Sequence, residues 1–142
     1  MLGMGFVGWL GQVTGEPFLI APFGASCVLL FAVPNSPLSQ PANLIGGHML
    51  ATLVALALRA YLPPEWWAIG ITVGVVIALM VALRVTHPPA GATPVVVFLT
   101  DPGPIFLLFP ILTGCIALIV IAIVVHKLPP RTAYPMDAKS DL

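Results

Sequence analysis

Two short stretches combine residue types that hold small ligands. In Pro22-Phe23-Gly24-Ala25-Ser26 and in His87-Pro88-Pro89-Ala90-Gly91-Ala92-Thr93, prolines, a glycine and a hydroxyl follow one another closely. A proline biases the residue before it away from helix. Each stretch therefore reads as an extended entry followed by a short helix. The first turn of a helix carries unpaired N–H groups and a partial positive charge, so it can hold an anion without a full protein charge. A glycine there lets the backbone approach a ligand closely. Gly24, Ala25 and Ser26 in one break, and His87, Gly91, Ala92 and Thr93 in the other, are the candidate substrate-binding residues. Ser26 and Thr93 would donate from their hydroxyls, or serve as helix caps, and both roles can hold at once.

Four further residues are candidates for a supporting role. Arg84 lies about one helical turn before His87; its plainer role is to snorkel to the interface from a helix end. His48 follows Gly46-Gly47 and, taken alone, reads as a satisfied buried histidine. Gln40 and Asn43 can pair backbone groups freed by a break. His87 itself is either a neutral donor that pins the break or a titrating group that lets a proton travel with an anion. Cys27 and Cys115 sit in apolar runs without disulfide or metal spacing and read as packing residues. No metal or cofactor is expected.

The elements that must position these residues are those of a membrane protein. The chain has 142 residues, 59% hydrophobic and 7% charged, with a formal net charge of zero; a soluble domain carries about 25% charged residues. There is no charge block to meet nucleic acid. Residues 17 to 58 contain no formal charge, which points to a polytopic membrane chain. The N-terminus lacks a basic segment before its apolar run and does not read as a signal peptide. Residues 2–15 read as a short or tilted first helix, and 44–61, 66–85 and 105–125 as strong spans. Tyr61, Trp66 and Trp67 suit an interfacial belt. Gly70 and Gly74 form a small-residue pair for close helix packing, inside the fold or between subunits. Residues 17–34 and 87–102 fit no simple span. After its glycine each has room for a helix of about 15 Å, half a membrane. Irregular backbone at that depth survives only inside protein or along a wet cavity.

The two breaks are related. A shift of 67 positions sets Pro22, Gly24, Ala25, Val28 and Phe31 on Pro89, Gly91, Ala92, Val95 and Phe98, and Ser26 on Thr93. It also sets Pro37 on Pro104, Gly47 on Gly114 and Pro63 on Pro130. The expected fold is all-α and polytopic. Two tandem repeats, about 1–63 and 66–130, each hold spanning helices and one broken or re-entrant half-helix; a polar tail, 131–142, is expected to be disordered. If the broken stretches cross the membrane, the repeats are inverted; if they re-enter, the repeats are parallel. The inverted arrangement is favoured because it brings both half-helix starts to the midplane. Both place the C-terminus on the cytoplasmic side.

The motif Thr86-His87-Pro88-Pro89-Ala90-Gly91-Ala92-Thr93, with the run from Phe23 to His48, resembles the HPP family of integral membrane proteins, over about residues 18–128. Members from cyanobacteria and chloroplasts are implicated in nitrite transport. The resemblance therefore implies a nitrite transporter in the plasma or inner membrane of a bacterium such as a cyanobacterium, or in a chloroplast envelope. A homo-oligomer is expected. Nitrite is a small planar monoanion that accepts several hydrogen bonds, which suits hydroxyls and helix starts. Alternatives are an anion channel, a carrier of nitrate, formate or another small solute, and an assembly subunit that transports nothing. An enzyme is not expected: no HExxH motif, paired carboxylates or Ser/His/Asp set is present, and Glu16, Glu65 and Asp101 fall in expected loops.

Overall fold

The computed structural model describes residues 2–14 and 20–136. Glu16, the first residues of the first break and the end of the tail lie outside them. Six α-helices follow in order: α1 (Leu2–Thr14), α2 (Ala21–Ala32), α3 (Pro41–Arg59), α4 (Trp66–Ala82), α5 (Thr93–Thr100) and α6 (Thr113–Lys127). No strand occurs among the described residues. Tight three-residue-per-turn segments at Pro37–Ser39, Pro88–Ala92 and Pro104–Leu107 introduce α3, α5 and α6. Proline in the first two positions of α2, α3 and α5 explains where they begin, since its fixed φ suits helix entry and its missing N–H is not needed there.

Among the described residues, two helical stretches are long and apolar enough to cross a bilayer: Pro41–Arg59, of mean hydropathy 1.5, and Pro104–Lys127, of mean hydropathy 2.9. The second is not one regular helix. Phe109 is extended, at φ −126° and ψ 117°, because Pro110 disfavours helical backbone in the residue before it. The uninterrupted span expected over 105–125 is corrected to a broken approach followed by α6. The span expected over 66–85 also ends early, since Arg84 turns the chain at φ 57°.

Helix α3 is the hub, packing against α4, α5 and α6; α6 in turn packs against α1 and α2. Phe23, Leu30, Leu44, Val97, Ile111 and Leu118 form the main core. Side chains such as Ile71, Ile77, Val81, Leu99, Val120 and Val124 remain on the outside, where lipid is the fitting solvent. Glycines set the closest approaches. A Cβ on Gly47 would lie 2.7 Å from the His87 Cβ, and one on Gly46 2.8 Å from Val85. Gly114 lies directly under the Phe23 ring. Gly70 and Gly74, by contrast, meet nothing within 4 Å. Among the described residues, then, this exposed pair makes no close packing inside the fold.

Residues 131–136 are not a free tail, which corrects the expectation of disorder for that part. Tyr134 is buried and its hydroxyl donates to the Ser39 carbonyl at 3.0 Å. The Met136 N–H donates to Gln40 Oε1 at 2.9 Å, and the Thr132 N–H to the His126 carbonyl at 3.0 Å. Burial pushes the Tyr134 phenol up to about 12.

Candidate functional site

Both breaks deliver their polar residues to one place. The start of α2 packs against the Pro88–Ala92 turn, and α3 covers the junction. Gly46 and Gly47 let α3 come this close, bringing His48 to the break. Ser26, His48, His87 and Thr93 are each fully buried there.

The four side chains form a continuous hydrogen-bonded chain. Ser26 Oγ lies 3.0 Å from His48 Nε2 and 2.9 Å from His87 Nε2. The other nitrogen of His48, Nδ1, lies 3.2 Å from Thr93 Oγ1. The other nitrogen of His87, Nδ1, lies 2.8 Å from the Leu38 carbonyl. The imidazoles meet edge to face, with centroids 5.1 Å apart, and Phe23 closes over His48 with centroids 5.2 Å apart. An unpaired polar group buried in such a setting costs about 1–3 kcal/mol, so the matched partners are what makes a polar centre tolerable in this apolar interior.

Local structure explains why each group points inward. Pro88 and Pro89 keep His87 extended, at φ −136° and ψ 99°. Its ring thereby reaches back to the loop before α3, and its neighbour Thr86 is braced by Asn43, whose amide donates to the Thr86 carbonyl at 2.9 Å. Gln40 holds that loop, donating to the Pro34 and Ser36 carbonyls at 2.9 Å each. Asn43 and Gln40 thus pair freed backbone groups rather than entering the site.

The remaining candidates fall elsewhere. Helix α2 begins before Gly24, so Gly24, Ala25 and Ser26 lie inside the helix and not at its open end. Pro22, Pro88 and Pro89 have no N–H, and the N–H groups of Phe23 and Ala90 are spent on Ile20 and His87 carbonyls. The expected cradle of free N–H groups is therefore corrected to a centre built from side chains. Gly24 and Gly91 meet no close neighbour. Ala25 and Ala92 are exposed and line an apolar groove of about 540 Å³ with Pro22, Val28, Pro88 and Pro89. Arg84 is exposed at the end of α4, as a snorkelling residue would be. The sequence reading undervalued His48 and missed the Leu38 carbonyl. The small pair Gly46-Gly47 immediately before His48 was the signal that this histidine meets another backbone.

This centre is a continuous hydrogen-bonded series of two hydroxyls and two imidazoles. Ser26 and His87 have the spacing of a nucleophile and its base. Ser26 Oγ also carries a second imidazole and is enclosed, so no carbonyl carbon can reach it in this conformation.

Helices with lipid-facing apolar surfaces around a buried polar centre define an all-helical transmembrane protein. The sequence relationships agree: the family model for the HPP transmembrane region matches residues 1–135, and the chain belongs to that family. A transmembrane protein of Dictyostelium discoideum is 36% identical over 126 residues, 83% of this chain and 44% of that protein. A second from the same organism is 30% identical over 127 residues, 84% of this chain and 41% of its own length. The chain thus spans under half the length of these curated relatives. No solved structure matches it significantly.

Proposed function

We propose that this chain is a membrane transporter, not an enzyme, and that it carries a small inorganic anion, nitrite first among them. The observation that carries this reading is the fully buried Ser26–His48–His87–Thr93 chain at the meeting point of the two breaks. Ionisable and polar groups at such depth are expensive, and they are kept where a solute or proton passes. A centre of hydroxyls and imidazoles suits a monoanion that must also be released. A fixed full charge would hold it more firmly.

A duplicated, inverted fold fits the same reading. Shifted by 67 positions, α2 falls on Pro88–Thr100 and Pro37–Ser39 falls within Pro104–Leu107. Helix α1 falls within α4, and α3 on residues 108–126. The packing has the same exchange: α3 lies on α4 and α5, and α6 on α1 and α2. Crossed repeats would set the centre near the bilayer midplane, where transporter sites form between inverted halves. The exposed Gly70 and Gly74 face is consistent with a homo-oligomer in a bacterial membrane.

The test is nitrite uptake by purified protein in liposomes, with nitrate and formate as competitors and protein-free liposomes subtracted. Saturable uptake that falls in the Ser26→Ala, Thr93→Ala double variant is expected. Flux no higher than in protein-free liposomes refutes the reading.

A further inference from the structure

The directions of the buried hydrogen bonds can be assigned from one end. The Leu38 carbonyl only accepts, so His87 Nδ1 carries a hydrogen and donates to it. With His87 neutral, its Nε2 accepts, and the donor 2.9 Å away is the Ser26 hydroxyl. That hydroxyl has one hydrogen; the Pro22 carbonyl at 3.1 Å also accepts from it, but that carbonyl does not need it, whereas among the described residues His87 Nε2 meets no other donor. The Ser26 oxygen must then accept from His48, whose Nε2 lies 3.0 Å away. His48, also neutral, is left with an accepting Nδ1, and Thr93 donates to it across 3.2 Å. Every donor runs one way: Thr93 to His48 to Ser26 to His87 to Leu38. The neutral centre is therefore closed on itself and has no hydrogen to offer an anion.

One added proton changes this. If it rests on His48, both ring nitrogens donate, and Nδ1–H now points at Thr93 Oγ1. If it rests on His87, Nε2–H donates to Ser26, whose hydroxyl turns to the Pro22 carbonyl at 3.1 Å, and His48 and Thr93 keep their directions. With the proton on His48, Thr93 becomes an acceptor from His48 and its own hydroxyl hydrogen is released. Thr93 is itself buried, and its neighbour Ala92 lines the groove beside the junction.

We propose that one proton taken up by His48 frees the hydrogen of the Thr93 hydroxyl to bind the anion, so that proton and monoanion enter and leave together without net charge. The proposal rests on the anion-transport reading and deepens it. The proton comes from water and returns to water; no covalent bond to the anion forms.

The surroundings supply no competing countercharge among the described residues. Helix α2 contributes Cys27, α6 contributes Cys115 with its Sγ toward the Leu44 carbonyl, and α4 contributes only the Thr72 hydroxyl, bonded to Ala68. The segment after α6 contributes Tyr134, bonded to Ser39. On α3 the charged group is Arg59, beyond the far end of the centre and paired with Asp101 at 3.1 Å. Glu65 and Asp101 are exposed.

Two measurements on the purified full chain in detergent test this. The first uses ¹⁵N-histidine NMR without anion. It should show both centre histidines neutral, His87 protonated at Nδ1 and His48 at Nε2; the opposite tautomer at either ring overturns the assigned direction. The second is calorimetric titration with sodium nitrite in buffers of different ionisation enthalpy. It should show one proton taken up per nitrite bound near pH 7. Thr93→Val should weaken nitrite binding at least tenfold and Thr93→Ser should restore it, with the NMR spectrum showing whether each variant keeps its fold. Nitrite binding with no proton uptake overturns this inference and leaves the transporter reading standing. No nitrite binding to the wild-type chain overturns both.

Discussion

Gly47→Ala is the sharpest probe of how the centre is held. The added Cβ would stand 2.7 Å from the His87 Cβ, 3.1 Å from the Val85 carbonyl oxygen and 3.5 Å from the Ala90 Cβ. Carbon atoms pack at about 3.5–4.0 Å, so His87 or α3 must withdraw by about 1 Å. Neither has slack. His87 is followed by Pro88 and Pro89 and held at both nitrogens, at 2.9 Å and 2.8 Å. A withdrawal of about 1 Å takes both bonds out of hydrogen-bonding range. Overpacking costs about 1–3 kcal/mol, and two lost bonds about 0.5–1.5 kcal/mol each. The sum is a destabilisation of about 2–6 kcal/mol, with loss of the polar centre. Gly74→Ala, measured on the monomer, is the control for helix propensity: its Cβ meets nothing within 4 Å among the described residues, and it should raise stability by up to about 1 kcal/mol. The assay is reversible unfolding in mixed detergent micelles, followed by tryptophan fluorescence. If Gly47→Ala unfolds within about 0.5 kcal/mol of wild type, close approach of α3 to the break is not what builds the centre.

Other consequences follow from single contacts. Asn43→Leu leaves the Thr86 carbonyl without its 2.9 Å partner and should cost about 1–3 kcal/mol in the same unfolding assay. Arg59→Gln breaks an ion pair whose Asp101 side chain is 66% exposed; the change should be under about 1 kcal/mol and shrink further with salt. In a Tyr61→Phe background the phenolate absorbance should rise around pH 12, because burial raises the Tyr134 pKa to about 12. Its folded pKa exceeds the ordinary value of about 10. The docking of residues 131–136 should therefore be fully present below about pH 10 and lost as pH rises through 12, read out as protease sensitivity of the C-terminal segment. In the inverted arrangement Asn35 and Asp101 face opposite sides of the membrane. Single cysteines there, in a chain with Cys27 and Cys115 replaced, should react with an impermeant thiol reagent from opposite sides, and labelling from one side only would refute inversion.

What the sequence disclosed, and what it hid, divides by the range of the interaction. The breaks were legible because proline acts on its immediate neighbours: Pro22, Pro88 and Pro89 announce where helix must start afresh. Ser26, His87 and Thr93 were legible because they stand out in apolar surroundings. Phe109 was misread, although Pro110 carries the same local rule, because the surrounding run is so apolar that periodicity suggested one span. His48 was undervalued because nothing local distinguishes a histidine bonded to two partners in other segments, at 3.0 and 3.2 Å, from one satisfied within its own helix. The order of residues 131–136 was missed for a similar reason. It depends on Ser39 and Gln40, nearly a hundred positions earlier.

The proposed duplication makes the composition of the centre informative. A shift of 67 positions relates Ser26 to Thr93, so each half brings one hydroxyl. It also relates Gly47 to Gly114 and Ala90 to Phe23, and the contacts agree: a Cβ on Gly47 would meet Ala90, as one on Gly114 would meet Phe23. The histidines break the pattern. His48 corresponds to Cys115 and His87 to Ile20. Two equivalent hydroxyls joined by symmetric partners would have no preferred direction. Here both imidazoles lie in one series, and the Leu38 carbonyl fixes its end. On the proposed duplication, the two halves would supply like walls and the unpaired histidines the polarity between them. Cys115→His puts an imidazole at the position that the shift relates to His48, and restoring that symmetry should disorder the sequence of donors. The histidine NMR spectrum should then show mixed tautomers at His48 and His87. Single tautomers unchanged from wild type would mean that the direction of the chain does not depend on the asymmetry between the halves.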